Sequence, residues 1–320
     1  AMRKFLLPIF GLGILLAWPF IAETIGAPAL ITLFTRMMIL GLAASALNIA
    51  LGFGGLVSLG HAAFYGIGAY AIGISTTHAI SGEPFLGLVA GSNLLIVNVL
   101  VAVVVSGIAA AIIGALALRT SGIQFIMITL AFAQMVFFLF LALKAYGGDD
   151  GLTFRRRNAL FDLNMRDDAT FFYVTLGFLL IWLVVCARVL HSRFGLLLGG
   201  IRQNERRMQA IGVNTFRLKW FAFIMSGMGA GLAGALMANL GRFVSPDLMH
   251  WTTSGELLIM CVLGGSGTII GPVLGAFALI GLEATLNTWT EHWQAILGPL
   301  LVLMVLVFRG GLARIGGRKS

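Results

Sequence analysis

His191-Ser-Arg-Phe-Gly-Leu-Leu-Leu-Gly-Gly-Ile-Arg-Gln-Asn-Glu-Arg-Arg-Met-Gln-Ala-Ile-Gly-Val-Asn214 is polar and strongly basic, and it leads into an apolar helix full of glycine from Trp220 to Leu240. The first half cannot lie in lipid, while the second has the length and hydropathy of a membrane span. A short soluble helix tied at both ends to membrane helices suits a part that receives force from a partner outside the bilayer.

Composition sets the same frame for the rest of the chain. Of 320 residues, 59% are hydrophobic and 10% are charged, far from the balance of a soluble domain. Apolar runs long enough to cross a bilayer as helix recur, without the period-2 alternation of a barrel. Helices satisfy their own backbone groups in lipid, so the expected fold is an all-α polytopic transmembrane helix bundle, read as one permease-like domain over 1–320. The net charge of +9 sits in short loops beside these runs, which fits membrane topology rather than nucleic-acid binding. Cys186 and Cys261 each lie inside an apolar run and support neither a disulfide framework nor a thiolate metal site.

Spans are expected over Phe5–Ile21, read as retained rather than cleaved, then Ala29–Ala50, Leu94–Leu118 after an interfacial lead-in at Phe85–Ala90, Ile123–Leu143, and Phe171–Ala187. The loop over 144–169 holds five basic and five acidic residues and reads as a solvated external connection. With Arg3 and Lys4 inside, Arg119 and the loop over 188–219, with seven basic residues against one Glu, also fall inside. Arg155-Arg156-Arg157 is the exception, left outside by the same count.

Two regions are broken by glycine. Leu51-Gly-Phe-Gly-Gly-Leu-Val-Ser-Leu-Gly-His-Ala-Ala-Phe-Tyr-Gly-Ile-Gly-Ala-Tyr70 loses about 1 kcal/mol of helix stability per glycine against alanine. Close helix packing and a broken helix lining a cavity both explain that composition. Gly255 to Phe277 is the second such region, and its first part is short for a span. Counting it as two short crossings puts the basic tail inside and gives about ten segments, the last over Trp293–Phe308. Gly54-Gly55-x-x-Ser58-Leu59 and Gly264-Gly265-x-x-Thr268-Ile269 share a texture, as the halves of an inverted repeat would.

Gly229-Ala-Gly231-Leu-Ala-Gly234 matches G-x-G-x-x-G but lies inside an apolar helix with no preceding strand, so it is no dinucleotide site. Gly227, Gly231 and Gly234 instead place small residues where another helix can approach closely. No P-loop motif occurs, and the five histidines are too scattered for a metal site. In the basic loop, Leu198, Ile201, Met208 and Ile211 fall near one helical face. Gly199-Gly200 before and Gly212 after would bound an amphipathic helix over Ile201–Gly212, and docking to a soluble subunit explains it better than local pairing of Arg202 with Glu205 or Arg206 with Gln203.

These segments resemble a known family. Residues 199–214, Phe221-Ala-Phe-Ile, Gly231-Leu-Ala-Gly-Ala, Gly52-Phe-Gly-Gly-Leu-Val-Ser-Leu-Gly-His-Ala-Ala-Phe, Val244-Ser-Pro-Asp and Leu263-Gly-Gly-Ser-Gly-Thr-Ile-Ile-Gly-Pro-Val-Leu-Gly-Ala are similar to branched-chain amino-acid ABC-transporter permeases of the LivH/LivM type, on the LivM side. The similarity runs from Met37 to Leu286, with departures at Arg207, Met208 and the triple arginine.

The resemblance implies a multi-pass subunit of the bacterial inner membrane that pairs with a second, LivH-like permease, two ATPase subunits and a periplasmic binding protein. ATP and Mg would be bound by the ATPase partners, with no cofactor on this chain. It implies an importer of branched-chain or other hydrophobic amino acids; relatives serving urea, amides or aromatic compounds remain alternatives. The implied coupling residues are Ile201, Arg202, Asn204, Glu205, Arg206, Met208, Ile211 and Gly212. Asn48, Ser58, His61, Tyr65 and Ser266 are candidates for the substrate pathway, because polar groups in glycine-broken helices are costly unless used. Each can equally be a satisfied packing residue. A secondary transporter or channel is the competing class, with only Glu256, Glu283 and His61 available near the bilayer for a coupling ion.

Overall fold

In a computed structural model, residues 3–82, 91–154, 156–160, 163–289, 292–307 and 311–312 are described. The helices are α1 (Arg3–Thr24), α2 (Ala29–Asn48), α3 (His61–Ser81), α4 (Leu95–Ala117), α5 (Ile123–Ala142), α6 (Asp168–Leu190), α7 (Arg193–Gln203), α8 (Glu205–Ala210), α9 (Thr215–Gly241), α10 (Trp251–Gly264), α11 (Gly271–Trp289) and α12 (Trp293–Val307). The lead-in expected at Phe85–Ala90, Phe308 and most of the basic tail lie outside the described residues.

Five stretches are long and apolar enough to cross a membrane: Ala29–Phe53, Leu95–Ala117, Ile123–Ala142, Asp168–Leu190 and Thr215–Gly241. The chain is therefore an α-helical multi-pass membrane protein, as an inner-membrane permease would be. About ten spans were expected on hydropathy and charge placement, and the described residues give five on length and composition. The shortfall has a physical origin. α10 and α12, at 14 and 15 residues, are too short alone, and α3 dilutes its apolar residues with glycine, serine and threonine.

α9 is the centre of the bundle. Its glycines let three helices come within backbone contact: a methyl group on Gly234 would overlap the Tyr65 carbonyl of α3, and one on Gly231 would overlap Ser106 of α4. Gly227 faces Ala110 and Phe64, and Gly229 faces Trp182 and Ala46. Such approach replaces hydrophobic driving force, which is weak between helices already in lipid. Around this centre α4, α5 and α6 turn Val104, Ile108, Met127, Phe138, Ile181 and Val184 outward, the surface lipid requires. α1 reaches α2 through Trp18, stacked on Phe34 at 3.8 Å between ring centroids.

The loop over 144–169 is not a free solvated connection. Its strand β1 (Leu152–Thr153) pairs antiparallel with β2 (Phe243–Val244), Leu152 opposite Val244. Arg157 donates to the carboxylate of Asp168 at 2.6 Å, to the Asn239 carbonyl at 3.2 Å and to the Met165 carbonyl at 3.2 Å, and it lies over the Phe171 ring. Asn158 adds bonds to Asn239 and Thr76. Arg157, of the triple arginine left outside by charge placement, is thus a clamp joining the ends of α6 and α9. Arg156, Arg157, Arg166, Asp168 and Arg242 line a cleft of 420 Å³ beside it.

Candidate functional site

α2 does not end cleanly. Past Asn48 the chain widens into a π-helical turn, Ile49–Phe53, closed by Gly54 N–H to the Ile49 carbonyl at 3.1 Å. Gly55, at φ 70°, then breaks the helix, and an irregular segment leads to α3 at His61. Both earlier explanations of the glycine content hold here: the helix is broken at Gly54–Gly60, and Gly68 of α3 lies on the backbone of Gly231. The carbonyls of Ile49, Ala50 and Leu51 are taken by the N–H groups of Gly54, Leu56 and Gly55, and a π-turn of this kind is found often at working sites.

The second broken region forms a hairpin. α10 and α11 run antiparallel, with Gly264 against Gly271 and Gly275 against the Met260 carbonyl. The turn between them is set by Gly265 at φ 110° and by the Thr268 hydroxyl donating to the Gly265 carbonyl at 2.7 Å. Gly55 and Gly265, the second glycine of each matched pair, both occupy conformations that side chains rarely adopt.

Asn48 joins the two breaks. Its side-chain amide donates to the Thr268 carbonyl at 2.7 Å, and its oxygen accepts from Gly267 N–H at 2.9 Å. Arg202 of α7 donates to the Gly52 carbonyl, at the end of the π-turn where the helix stops. One side chain from the basic loop therefore holds the first break, and Asn48 holds the second to it. A cleft of 470 Å³ opens beside this junction, lined among others by Gly54, Gly55, Leu118, Ile201, Arg202, Glu205 and Lys219.

The amphipathic helix expected over Ile201–Gly212 is two helices. Gly199 and Gly200 lie within α7, and the chain breaks at Asn204, whose side chain caps α8 by accepting from Arg207 N–H at 3.0 Å. The Met208 sulfur packs over Gly200 and folds α8 back on α7. Of the residues expected in a docking face, Ile201 is buried at 3% exposure and Ile211, at 68%, is open. Glu205 pairs with Lys219 at 2.6 Å instead of with Arg202, and Gly212 ends the segment at φ 86°. Arg206, Arg207, Gln209 and Ile211 make up the exposed side of α8 and its end.

The five pathway candidates are not gathered around one cavity. Asn48 sits at the junction and Ser266 on the exposed hairpin turn beside it. Ser58 and His61 belong to a buried relay. His61 Nε2 lies 2.6 Å from Ser226 Oγ, and Ser226 donates to the Ala46 carbonyl at 2.6 Å. With its one proton so committed, Ser226 accepts from Nε2–H, and His61 Nδ1 is left to accept from Ser58 Oγ at 3.2 Å, itself an acceptor from Gly60 N–H. Every polar atom of the imidazole is satisfied, which makes His61 a brace between α2, α3 and α9. Tyr65 is 1% exposed and its hydroxyl has no partner.

Reading the sequence alone passed over Ser226, Lys219 and Arg36. Ser226 and Arg36 carried a signal, each being a polar residue within an otherwise apolar span. Lys219 did not, since only the fold brings it to Glu205. Among the described residues no group of His, Cys, Asp or Glu could hold a metal ion.

Residues 29–308 match the family model of the branched-chain amino acid transport system permease component. The chain is 30% identical over 323 residues to the high-affinity branched-chain amino acid transport system permease protein LivM of Salmonella typhimurium, covering 92% of this chain and 71% of that one. Against LivM of Escherichia coli the identity is 29%, with 95% and 73% covered. The autoinducer 2 import system permease protein LsrC of Yersinia enterocolitica is 31% identical over 150 residues, covering 43% of this chain and 41% of that one. No solved structure matches. Both glycine breaks, the Asn48 junction and the basic loop fall within the matched stretch, and the chain belongs to the branched-chain amino-acid transport permease family.

Proposed function

We propose that this chain is one permease of an ATP-driven importer of branched-chain or other hydrophobic amino acids, acting as a single transmembrane domain over its whole length. It pairs with a second permease, receives substrate from a soluble binding protein on the Arg157 side, and is driven by two ATPase subunits on the Arg202 side. Ten crossings follow if α1, α3, α10, α11 and α12 are counted with the five long spans, which returns the end of α12 to the Arg202 side.

The observation that carries the reading is the bond from Arg202 to the Gly52 carbonyl. α8 and Gly212 offer Arg206 and Ile211 to an ATPase cleft, with Asn204 and Glu205 setting the angle of α8. A push on α8 passes through Met208 into α7, through Arg202 to the first break, and through Asn48 to the hairpin. Helix breaks that shift together are a recognised means of switching access between the two sides.

The test is ATP-driven uptake by the complete importer in proteoliposomes. Ile211→Asp combined with Arg206→Glu is expected to lower uptake about tenfold or more and to loosen the ATPase subunits, as loss of an anchor in an interface does. Full uptake by this variant, or uptake by this chain alone driven by an ion gradient, would overturn the reading.

A further inference from the structure

Three ionisable groups lie within apolar helices that pack together: Arg36 on α2, Glu256 on α10 and Glu283 on α11. Contacts of their neighbours tie these helices to one another. Met37 Cε lies over Gly281, Phe34 meets Phe277 edge-on at 5.7 Å, and Ser254 accepts from Ala62 N–H at 2.8 Å. α2 packs against both arms of the hairpin, so the three side chains belong to one neighbourhood rather than to three separate faces.

Charges inside membrane helices normally close on one another or line a polar route. These do not close. Among the described residues none of the three makes an ion pair, and Glu256 stands exposed on α10. Arg36 Nε is buried without a hydrogen-bond partner. The buried Tyr65 hydroxyl is likewise unpartnered among the described residues, on the helix whose Ala62 N–H meets Ser254 of α10. Helix packing thus brings a guanidinium, two carboxylates and an idle hydroxyl onto neighbouring elements without closing them on one another.

We propose that Arg36, Glu256, Glu283 and the Tyr65 hydroxyl form a station on the transport route that recognises the zwitterion of a free α-amino acid. The guanidinium takes the α-carboxylate through its two-pronged face, the glutamates take the α-ammonium, and Tyr65 donates to a remaining carboxylate lone pair. A neutral urea or amide leaves all three charges unanswered. An organic acid sets its own carboxylate against the glutamates. The inference rests on the amino-acid importer reading and narrows it: selectivity for both charges resides in this chain as well as in any soluble partner.

The test uses the permease pair co-purified with its ATPase subunits, nucleotide-free in lipid nanodiscs. Binding of labelled L-leucine is followed in competition with leucinamide, which lacks the carboxylate, with 4-methylpentanoate, which lacks the ammonium, and with urea. Leucine is expected to bind and to resist all three at equal concentration. Arg36→Gln and Glu256→Gln are each expected to weaken it about tenfold or more, and Arg36→Lys to weaken it less, since an ammonium keeps the charge and loses the fork.

Assembled, monodisperse variants that bind leucine as the parent does would overturn the proposal. So would displacement by 4-methylpentanoate, or a permease pair that falls apart in Arg36→Gln and is restored by Arg36→Lys, which would assign these charges to a subunit contact. Uptake by the unmodified importer separates the two levels. Leucine import with unaltered variants removes this inference alone, whereas import of urea or an aromatic acid and of no amino acid removes the importer reading with it.

Discussion

His61 and Ser226 face each other at 2.6 Å in the middle of the bundle, and the direction of the proton between them is dictated by Ser226, whose hydrogen goes to the Ala46 carbonyl. Ser226→Ala leaves a buried imidazole N–H without an acceptor. A loss of about 1–3 kcal/mol is expected, seen as a lowered unfolding temperature of the purified protein in detergent. His61→Phe, which removes both polar atoms but leaves the Ser58 hydroxyl without its acceptor, is expected to cost as much. Equal stability of all three proteins would mean that the relay braces nothing.

The glycines of α9 separate packing from propensity. Gly234→Ala drives a methyl group into the Tyr65 carbonyl and is expected to destabilise by about 1–3 kcal/mol. Gly199→Ala in α7 meets nothing within 4 Å and is expected to stabilise by up to about 1 kcal/mol. Thermal unfolding of both variants checks the opposite signs.

Arg202 touches the helix break, while Arg206 points away from it. Arg202→Met is expected to leave the ATPase subunits attached and to cut substrate moved per ATP hydrolysed by about tenfold, the scale at which misplacing a working group is felt. Arg206→Glu is expected to do the reverse, reducing attachment first. Uptake and ATP hydrolysis measured on the same proteoliposomes give the ratio.

Asp167 caps α6 at the loop end of the bundle, accepting from the Thr170 hydroxyl at 2.9 Å and its N–H at 3.1 Å. The bond from the Thr170 side chain holds its carboxyl below the usual carboxylate range. The sign follows from that lowering. The cap contributes fully above the unfolded carboxylate value, about 4, and fades as pH falls through the lower folded one. Asp167→Ala is expected to cost about 1 kcal/mol at neutral pH and to flatten the acid limb of the stability curve.

What the sequence made legible were the features that a single segment decides. Long apolar runs marked α4, α5, α6 and α9 to within a few residues, and Gly212 marked its own stop. The elbow at Asn204 was written there too, as a capping residue followed by Glu205, but the apolar spacing of Leu198, Ile201, Met208 and Ile211 ran across it and suggested one helix. The burial of Ile201 could not be read, since an apolar face does not name the surface it meets. Neither could the bond from Arg202 to Gly52, whose partners stand 150 residues apart. Arg155-Arg156-Arg157 misled for a related reason: charge-placement rules count arginines, and Arg157 is spent on neighbours that only the fold supplies.

The α10–α11 hairpin has backbone against backbone near its turn, at Gly264, Gly271 and Gly275, where no long side chain separates the arms. It is a stiff two-ply paddle. A displacement delivered to its tip, where Asn48 holds Gly267 and Thr268, is not absorbed along the way but reappears at the far edge, turning a sub-ångström nudge into a tilt.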